Sequence, residues 1–291
     1  MIPLLDPNIM ASDEDFAYAR ANAEAREFLE KHWEWYEQFA DKDFSKKRTA
    51  RFHDRFWEMY LACTLKEFGK DLQEKPSEKG PDICVMQVSP ESYIWVEAIT
   101  ANPGQGVDKV PPMVSNNNIT WFRIPEEQVI LRYTFALDEK FKKYHFYIKD
   151  GIVAPTAPYI IAVNGGKVPY AWDNGEEIPY IIQAVLPFGP QTLSIIWEKP
   201  EESTVGYSYR PEIIKKSKRG APTNIFQRKV YEGISGIIFS RSEIFNIHRK
   251  MGNDFILVHN PLALNPIPWG WLKVGREYRA DSVLECRRWA V

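Results

Sequence analysis

Cysteine is scarce in this chain, and its distribution argues against a disulfide-rich fold. Cys63, Cys84 and Cys286 are odd in number and widely spaced, so they define neither a disulfide framework nor a paired metal-binding motif. The five histidines show none of the spacings at which zinc ligands recur. This pattern favours a protein of a reducing compartment.

Long apolar runs and a targeting segment are also missing. No stretch approaches the ~18 apolar residues of a membrane-spanning helix. The first residues lack both the basic and the apolar part of a secretion signal. We therefore expect a cytoplasmic protein without a membrane partner.

Several common catalytic signatures are absent as well. Gly104 and Gly106 stand in no strand-to-helix turn, so there is no glycine-rich phosphate-binding loop of the Walker type. The Gly-x-Ser-x-Gly turn of serine hydrolases does not occur either. Because the net charge is −2, a nucleic-acid partner would have to be met by a local basic patch.

What is present is a globular composition with alternating helices and strands. With 291 residues, 44% of them hydrophobic, the chain is long enough for one large core. Capping residues and helical spacing predict helices at about 12–39, 43–68 and 125–149. Apolar runs predict strands at 158–164, 192–197, 234–240 and 254–259. We expect an α/β fold with a central mixed β-sheet flanked by helices.

Two adjacent predicted strands each carry one carboxylate. Alternating apolar residues predict strands at about 80–86 and 93–99, joined by a polar turn at 89–92. If the strands pair as a hairpin, Asp82 and Glu97 come to the same end of the sheet. Two carboxylates there repel unless a proton or a cation lies between them, and such oxygen ligands suit Mg²⁺. The alternative is a surface hairpin with two solvated acids.

Two helical side chains are candidates for the same site. Glu58 lies inside a predicted helix that is apolar on two faces, so its carboxylate should be paired, bound to a cation or at the edge of the core. Lys140 falls on the apolar stripe of the third helix, between Leu137 and Tyr144, which is uncommon for a lysine. The alternatives are a surface glutamate and a lysine whose stem carries its charge out to solvent.

These residues, taken in order along the chain, resemble a known superfamily. Glu58, the sequence Gly80-Pro81-Asp82 and the sequence Trp95-Val96-Glu97-Ala98-Ile99 occur in the order helix, strand, strand, helix, strand. The pattern resembles the PD-(D/E)XK nuclease superfamily, the fold of many restriction and repair endonucleases. The resemblance implies that Asp82 and Glu97 bind Mg²⁺ or Mn²⁺ and that Glu58 is an accessory acid.

The resemblance also implies a division of the chain. It covers roughly residues 45–165, which would form a restriction endonuclease-like core. Residues 1–44 would then be an N-terminal helical extension. Residues 166–291 would add strands to the same sheet without forming an independent domain.

One position departs from the superfamily pattern. The resemblance implies a lysine two residues after Glu97, and this chain has Ile99 there. Both side chains point to the same face of a strand, so an apolar group stands where a cation is expected. Lys140 is our candidate replacement, with Arg132 and Lys143 as further candidates. We expect Lys140 to stabilise the charge that develops on a scissile phosphate.

The sequence contains one dense basic cluster, in a polar stretch from residue 199 to residue 228. It consists of Lys215, Lys216, Lys218 and Arg219. We predict that these residues bind nucleic acid, DNA being the expected form, in a salt-dependent way. The alternative is a solvated loop without a partner. A homodimer is also open.

Two other functions remain alternatives to a metal-dependent nuclease. A nuclease-like fold that has lost catalysis would act as a binding or scaffold module without bound metal. An unrelated α/β enzyme could instead use His259, which ends a predicted strand before Asn260 and Pro261. A hydrogen-bonded structural histidine is the other explanation for that residue.

Overall fold

The fold is mixed α/β and is built around one large β-sheet. The computed structural model describes residues 4–5, 12–42, 44–47, 49–75, 79–87, 93–113, 124–171, 178–247, 250–281 and 284–289, with the backbone alone at 45, 46 and 200. The strands of the large sheet are β1 (Leu72–Gln73), β2 (Ile83–Met86), β3 (Tyr93–Thr100), β4 (Tyr159–Asn164), β9 (Gly236–Ser240), β10 (Ile256–His259), β11 (Arg276–Ala280) and β12 (Leu284–Arg288). They are hydrogen-bonded in that order.

Two short hairpins stand outside the large sheet. The first pairs β5 (Phe188–Ser194) with β6 (Thr204–Tyr209), and the second pairs β7 (Glu212–Ile214) with β8 (Gly220–Pro222). The helices are α1 (Glu14–Ala21), α2 (Ala23–Tyr36), α3 (Phe44–Lys47), α4 (Phe52–Glu67), α5 (Glu126–Lys149) and α6 (Tyr180–Gln183). No helix among these residues is both long and apolar enough to cross a bilayer.

Alternation along the strands divides the core between the two faces of the sheet. On β3, Ile94, Val96 and Ala98 pack with the buried residues of α1, α2 and α4. Trp95 and Ile99 face the other way and pack with the buried residues of α5. This two-residue period means that Glu97, between Val96 and Ala98, belongs to the α5 face.

The direction of the strands explains where the helices lie. β2 runs antiparallel to β3, so a short turn can join them, whereas β3 runs parallel to β4 and needs a crossover, which contains α5. β4 pairs in turn with β9 in parallel, and β10 to β12 continue the same sheet. The C-terminal part of the chain therefore extends the sheet that carries Asp82 and Glu97.

The structure differs from the sequence-based prediction in its first two helices. The helix predicted at 12–39 is divided at Asn22, which is extended and whose side chain accepts the Ala25 N–H to cap α2. The helix predicted from about residue 43 is also divided, because α4 begins only at Phe52. It ends as predicted before Gly69, whose φ of 77° suits glycine.

The prediction was least accurate after residue 165. β9 and β10 lie where strands were predicted, but the strand predicted at 192–197 is β5, which spans Phe188–Ser194. The polar stretch 199–228 contains β6, β7 and β8, which are short and include glycine and proline. Such strands carry little periodic signal. The turn predicted at 89–92 lies outside the described residues.

Candidate functional site

A polar cavity of about 510 Å³ lies between α4, α5 and the end of β3. The charged residues that line it are Asp13, Asp41, Asp54, Glu58, Asp82 and Glu139, together with Lys47, Arg51, Arg55, Lys140, Lys143 and Lys167. Acidic and basic side chains are equal in number, so the cavity is highly charged without a large excess of either sign. Three of the four side chains predicted for the site line it, and Glu97 does not.

Asp82 is held at the start of β2 by a hydrogen bond to the neighbouring strand. Ile83 is opposite Val96, and extending this register by one residue sets Asp82 opposite Glu97. The Ala98 N–H donates to Asp82 Oδ2 at 2.7 Å. The side chain thus takes the place of a backbone acceptor, which orients the carboxylate at the wall of the cavity.

Glu97 is fully buried behind that wall, and two ammonium groups contact one of its oxygens. Lys140 Nζ is 2.5 Å and Lys143 Nζ is 2.7 Å from Glu97 Oε1. The Tyr147 hydroxyl is 3.2 Å from Oε2. Burial raises the pKa of Glu97 and the charge of Asp82 raises it further, while both lysines oppose the rise.

The α5 residues that contact Glu97 share one face of the helix, because Lys140, Lys143 and Tyr147 are three and four positions apart. The side chain of Lys140 is 13% exposed and that of Lys143 is 44% exposed, so only Lys143 reaches well into solvent. Ile99 also lines the cavity. The strand lacks a cation at position 99, and the helix brings two ammonium groups to Glu97 instead.

Glu58 approaches the cavity from the other face of the sheet, on α4. It is buried and forms a two-pronged ion pair with Arg55, with N–O distances of 2.6 and 2.7 Å. Burial raises the pKa of Glu58 well above its usual range, and the charge of Asp82 raises it further, against the effect of Arg55. Asp82 is therefore the acid that interacts with both glutamates.

The basic cluster lies outside this cavity, in the turn between β7 and β8. The Lys216 N–H donates to Asp108 Oδ1 at 3.0 Å. Asp108 belongs to the segment that follows β3, and Asn102 of that segment lines the cavity. The cluster is thus joined through one segment to the rim of the cavity, and the side chains of residues 216–219 are exposed.

His259 is paired within the sheet. Its Nε2 lies 3.0 Å from Oε2 of Glu277, which is fully buried on β11. Glu277 also accepts the N–H groups of Gly270 and Leu272. Burial acts to raise the pKa of Glu277, but these hydrogen bonds outweigh it and lower the pKa. The arrangement is that of a hydrogen-bonded structural histidine.

Sequence reasoning missed the partners of the predicted residues. The sequence does not single out Arg55 as the partner of Glu58, although its position three residues earlier on a helix allows an ion pair. Tyr147 falls on the same stripe of α5 as Leu137 and Tyr144, and the sequence does not mark its hydroxyl as a partner of Glu97. Lys143 is only a further candidate in the sequence-based prediction, yet it contacts the same oxygen of Glu97 as Lys140 does. The i, i+3 and i+7 spacing was the signal available for this group.

The donor set fits Mg²⁺ in part. Within the part of the chain that the structure describes, no group of three or more His, Cys, Asp or Glu side chains is arranged to hold a metal ion. Asp82 and Glu58 do line one cavity, and carboxylate oxygens are the ligands that Mg²⁺ prefers. Glu97 is adjacent, but its Oε1 already accepts from two ammonium groups.

No protein-family model, no curated protein and no solved structure matches the chain. Its function is therefore inferred from the cavity, its charges and the elements around it.

Proposed function

We propose that this protein is a Mg²⁺-dependent nuclease with a restriction endonuclease-like core, hydrolysing phosphodiester bonds in nucleic acid, with DNA as the expected substrate. The observation that carries this proposal is the contact between Lys140 and Glu97, beside a cavity that Asp82 and Glu58 also line. The order of elements also supports it. Apart from the two-residue strand β1, α4 is followed by β2, β3, α5 and β4, which is the order helix, strand, strand, helix, strand that the resemblance implies.

Asp82 and Glu97 are the proposed ligands of Mg²⁺ or Mn²⁺, with Glu58 as an accessory acid. Asp82 raises the pKa of both glutamates, so its charge repels the charge of each of them. A bound cation would favour their charged forms. When bound, a divalent cation neutralises phosphate charge and lowers the pKa of a coordinated water.

Lys140 has the position expected of a group that stabilises developing negative charge. Lys140 lines the cavity and its side chain is only 13% exposed, so its charge is weakly screened by water. Lys143 contacts the same oxygen of Glu97. Lys143 can therefore keep Glu97 neutralised while Lys140 donates to a phosphate oxygen.

Nucleic acid would meet the basic cluster as well as the cavity. The cluster, Lys215, Lys216, Lys218 and Arg219, is proposed to contact backbone phosphates. The hydrogen bond between Lys216 and Asp108 supports this, because it joins the cluster to the segment at the cavity rim. Binding there would hold a strand beside the proposed metal ligands.

A second function is favoured by a different observation. Glu97 Oε1 is occupied by two ammonium groups, and the described residues contain no three-ligand metal group. These features suit a nuclease-like protein that binds nucleic acid without cleaving it. In that case Lys140 and Lys143 would neutralise Glu97 in place of a metal ion.

Plasmid cleavage tests the proposal. The wild-type protein should cleave DNA in the presence of Mg²⁺ or Mn²⁺ and not in excess chelator. Asp82→Asn should lower the cleavage rate by at least about 100-fold, because losing one group that stabilises transition-state charge typically costs about 100- to 1000-fold in rate. Asp138→Asn is the matched control, since the side chain of Asp138 on α5 is about half exposed and pairs with Lys142 at the surface.

The outcomes separate the two candidate functions. Loss of cleavage in Asp82→Asn but not in Asp138→Asn supports the metal site. Cleavage that is equal in both variants refutes it. Salt-dependent DNA binding without cleavage by the wild type, under both metals, establishes the binding protein instead.

A further inference from the structure

β5 and β6 form a two-stranded hairpin that is not part of the large sheet. The hairpin nevertheless has one apolar and one polar face. We call residues 188–209 the arm. Leu193 is opposite Val205, and Gln191 is opposite Tyr207. Directly opposite residues share a face, so this face is largely apolar. The other face carries Thr192, Ser194, Thr204 and Gly206.

The apolar face of the arm is open to solvent. Leu193, Val205 and Tyr209 are exposed on this face, and Ile195, Ile196 and Trp197 are exposed just beyond the end of β5, with Trp197 at the tip 85% exposed. A two-stranded hairpin is only marginally stable by itself in water. An exposed apolar patch of this kind marks a surface that another molecule covers.

Residues 195–203, which join β5 to β6, form the tip of the arm. The charges of the tip argue against nucleic acid as the molecule that covers the apolar face. Glu198, Glu201 and Glu202 follow Trp197 in the chain and are exposed. Lys199, the one basic residue among them, pairs with Glu202 at 2.6 Å. The tip is therefore acidic and would repel phosphates.

A matching apolar cavity of about 590 Å³ lies at the base of the arm. Its lining includes Phe188, Tyr207, Tyr209, Phe226, Leu262 and Leu284. Three of these belong to the arm itself, so the apolar face continues into the cavity. Gln227 and Asp281 also line it. Asp281 lies 3.7 Å from Arg279, and the two residues after Gln227, Arg228 and Lys229, are exposed and basic.

The tip cannot fill the cavity of its own chain. β5 has seven residues, and at about 3.3 Å per residue its two ends are roughly 20 Å apart. Two arms lying side by side in opposite directions would instead bring the tip of each to the base of the other. The acidic tip would then lie beside Arg228 and Lys229.

We propose that two copies of this chain associate through their arms, with Trp197 of each copy in the base cavity of the other. The two contacts are identical and related by a two-fold axis, so association closes at a dimer. The apolar faces of both arms are covered in the same step. This inference does not depend on the nuclease function.

Sedimentation velocity over a range of concentrations tests the dimer. Trp197→Ser should raise the dimer dissociation constant by at least about 100-fold, because a buried aromatic anchor is lost twice. Ala280→Trp should weaken the dimer similarly by filling the cavity. Phe146→Ser is the control, since Phe146 is a comparably exposed aromatic on α5 and should leave the dimer intact.

Mixing and cross-linking test the arrangement. An equimolar mixture of Trp197→Ser and Ala280→Trp should form more dimer than either alone, because one intact tip meets one intact cavity. In a Cys286→Ser background, Trp197→Cys/Leu262→Cys should form an inter-chain disulfide and Trp197→Cys alone should not. A monomer at all concentrations, or cross-linking by Trp197→Cys alone, would overturn the proposal.

Discussion

At the residue scale, two lysines balance the charge of the buried Glu97 carboxylate. A carboxylate without exposed surface is strongly unfavourable unless it is paired, and here two ammonium groups pair with it. Lys140 is mostly enclosed and Lys143 is half solvated. The group therefore combines one cation that is weakly screened by water with one that is partly exposed to it.

Glu97→Gln should destabilise the fold by roughly 2–4 kcal/mol. Breaking a fully buried ion pair costs about 3–5 kcal/mol, and the cost is lower here because Lys143 can turn to solvent. Urea unfolding gives the free energy. Glu139→Gln, an exposed acid that lines the same cavity, should stay within about 0.5 kcal/mol of the wild type. If the Glu97→Gln variant were as stable as the wild type, the ion pairs with Lys140 and Lys143 would contribute no more than the cost of burying the Glu97 charge.

At the element scale, α5 supplies the charge that β3 lacks. Ile99 and Glu97 share a face of β3, and α5 lies across that face with Lys140 turned towards Glu97. A lysine at position 99 of β3 and a lysine at position 140 of α5 would therefore both extend into the space between β3 and α5. For the proposed nuclease, cleavage should depend on where the ammonium group lies and less on whether α5 or β3 carries the lysine.

Moving the lysine from helix to strand tests this equivalence. Lys140→Met should lower cleavage by about 100-fold. Ile99→Lys/Lys140→Met should recover at least about 10-fold of that loss, because the ammonium returns to the same cavity wall. The matched control is Ile99→Leu/Lys140→Met, which changes the shape at position 99 without adding charge. Equal rates for the two double variants, measured as single-turnover cleavage, would contradict the prediction.

At the scale of the whole molecule, the charge distribution means that the proposed binding of nucleic acid would depend on a local patch. The net charge is −2, and the cavity lining is balanced in charge. The exposed cluster in the turn between β7 and β8 is the concentrated positive surface that the sequence provides. The cavity itself collects residues from Asp13 to Lys167, so it depends on the complete packing of α1, α4 and α5 against the sheet.

Replacing the four cluster residues Lys215, Lys216, Lys218 and Arg219 by alanine should change how binding depends on salt. Each lost phosphate contact lowers the slope of log K against log salt by about 0.9 on duplex DNA, so the decrease should reach up to about 3.6. Fluorescence anisotropy at several salt concentrations measures it. Arg26→Ala/Lys31→Ala, exposed on α2, should leave the slope unchanged. An unchanged slope in the cluster variant would exclude this turn from the interface.

Local patterns in the sequence were enough to predict the central elements. Two-residue alternation predicted β2 and β3, and their pairing brings Asp82 and Glu97 to one end of the sheet. Helical spacing put Lys140 on the inward stripe of α5. These features could be read directly because they repeat every two to four residues along one element.

Contacts between elements could be known only once the chain was folded. The ion pairs of Glu97 join residues 43 and 46 positions apart, and the effect of Asp82 on Glu58 and Glu97 depends on how α4 and the strands meet. The exposure of the arm's apolar face could not be predicted from the sequence either. Apolar and polar residues alternate in the same way along a strand whose apolar face is covered. Periodicity shows which side of an element is apolar, but what lies against that side is set by the packing of distant segments.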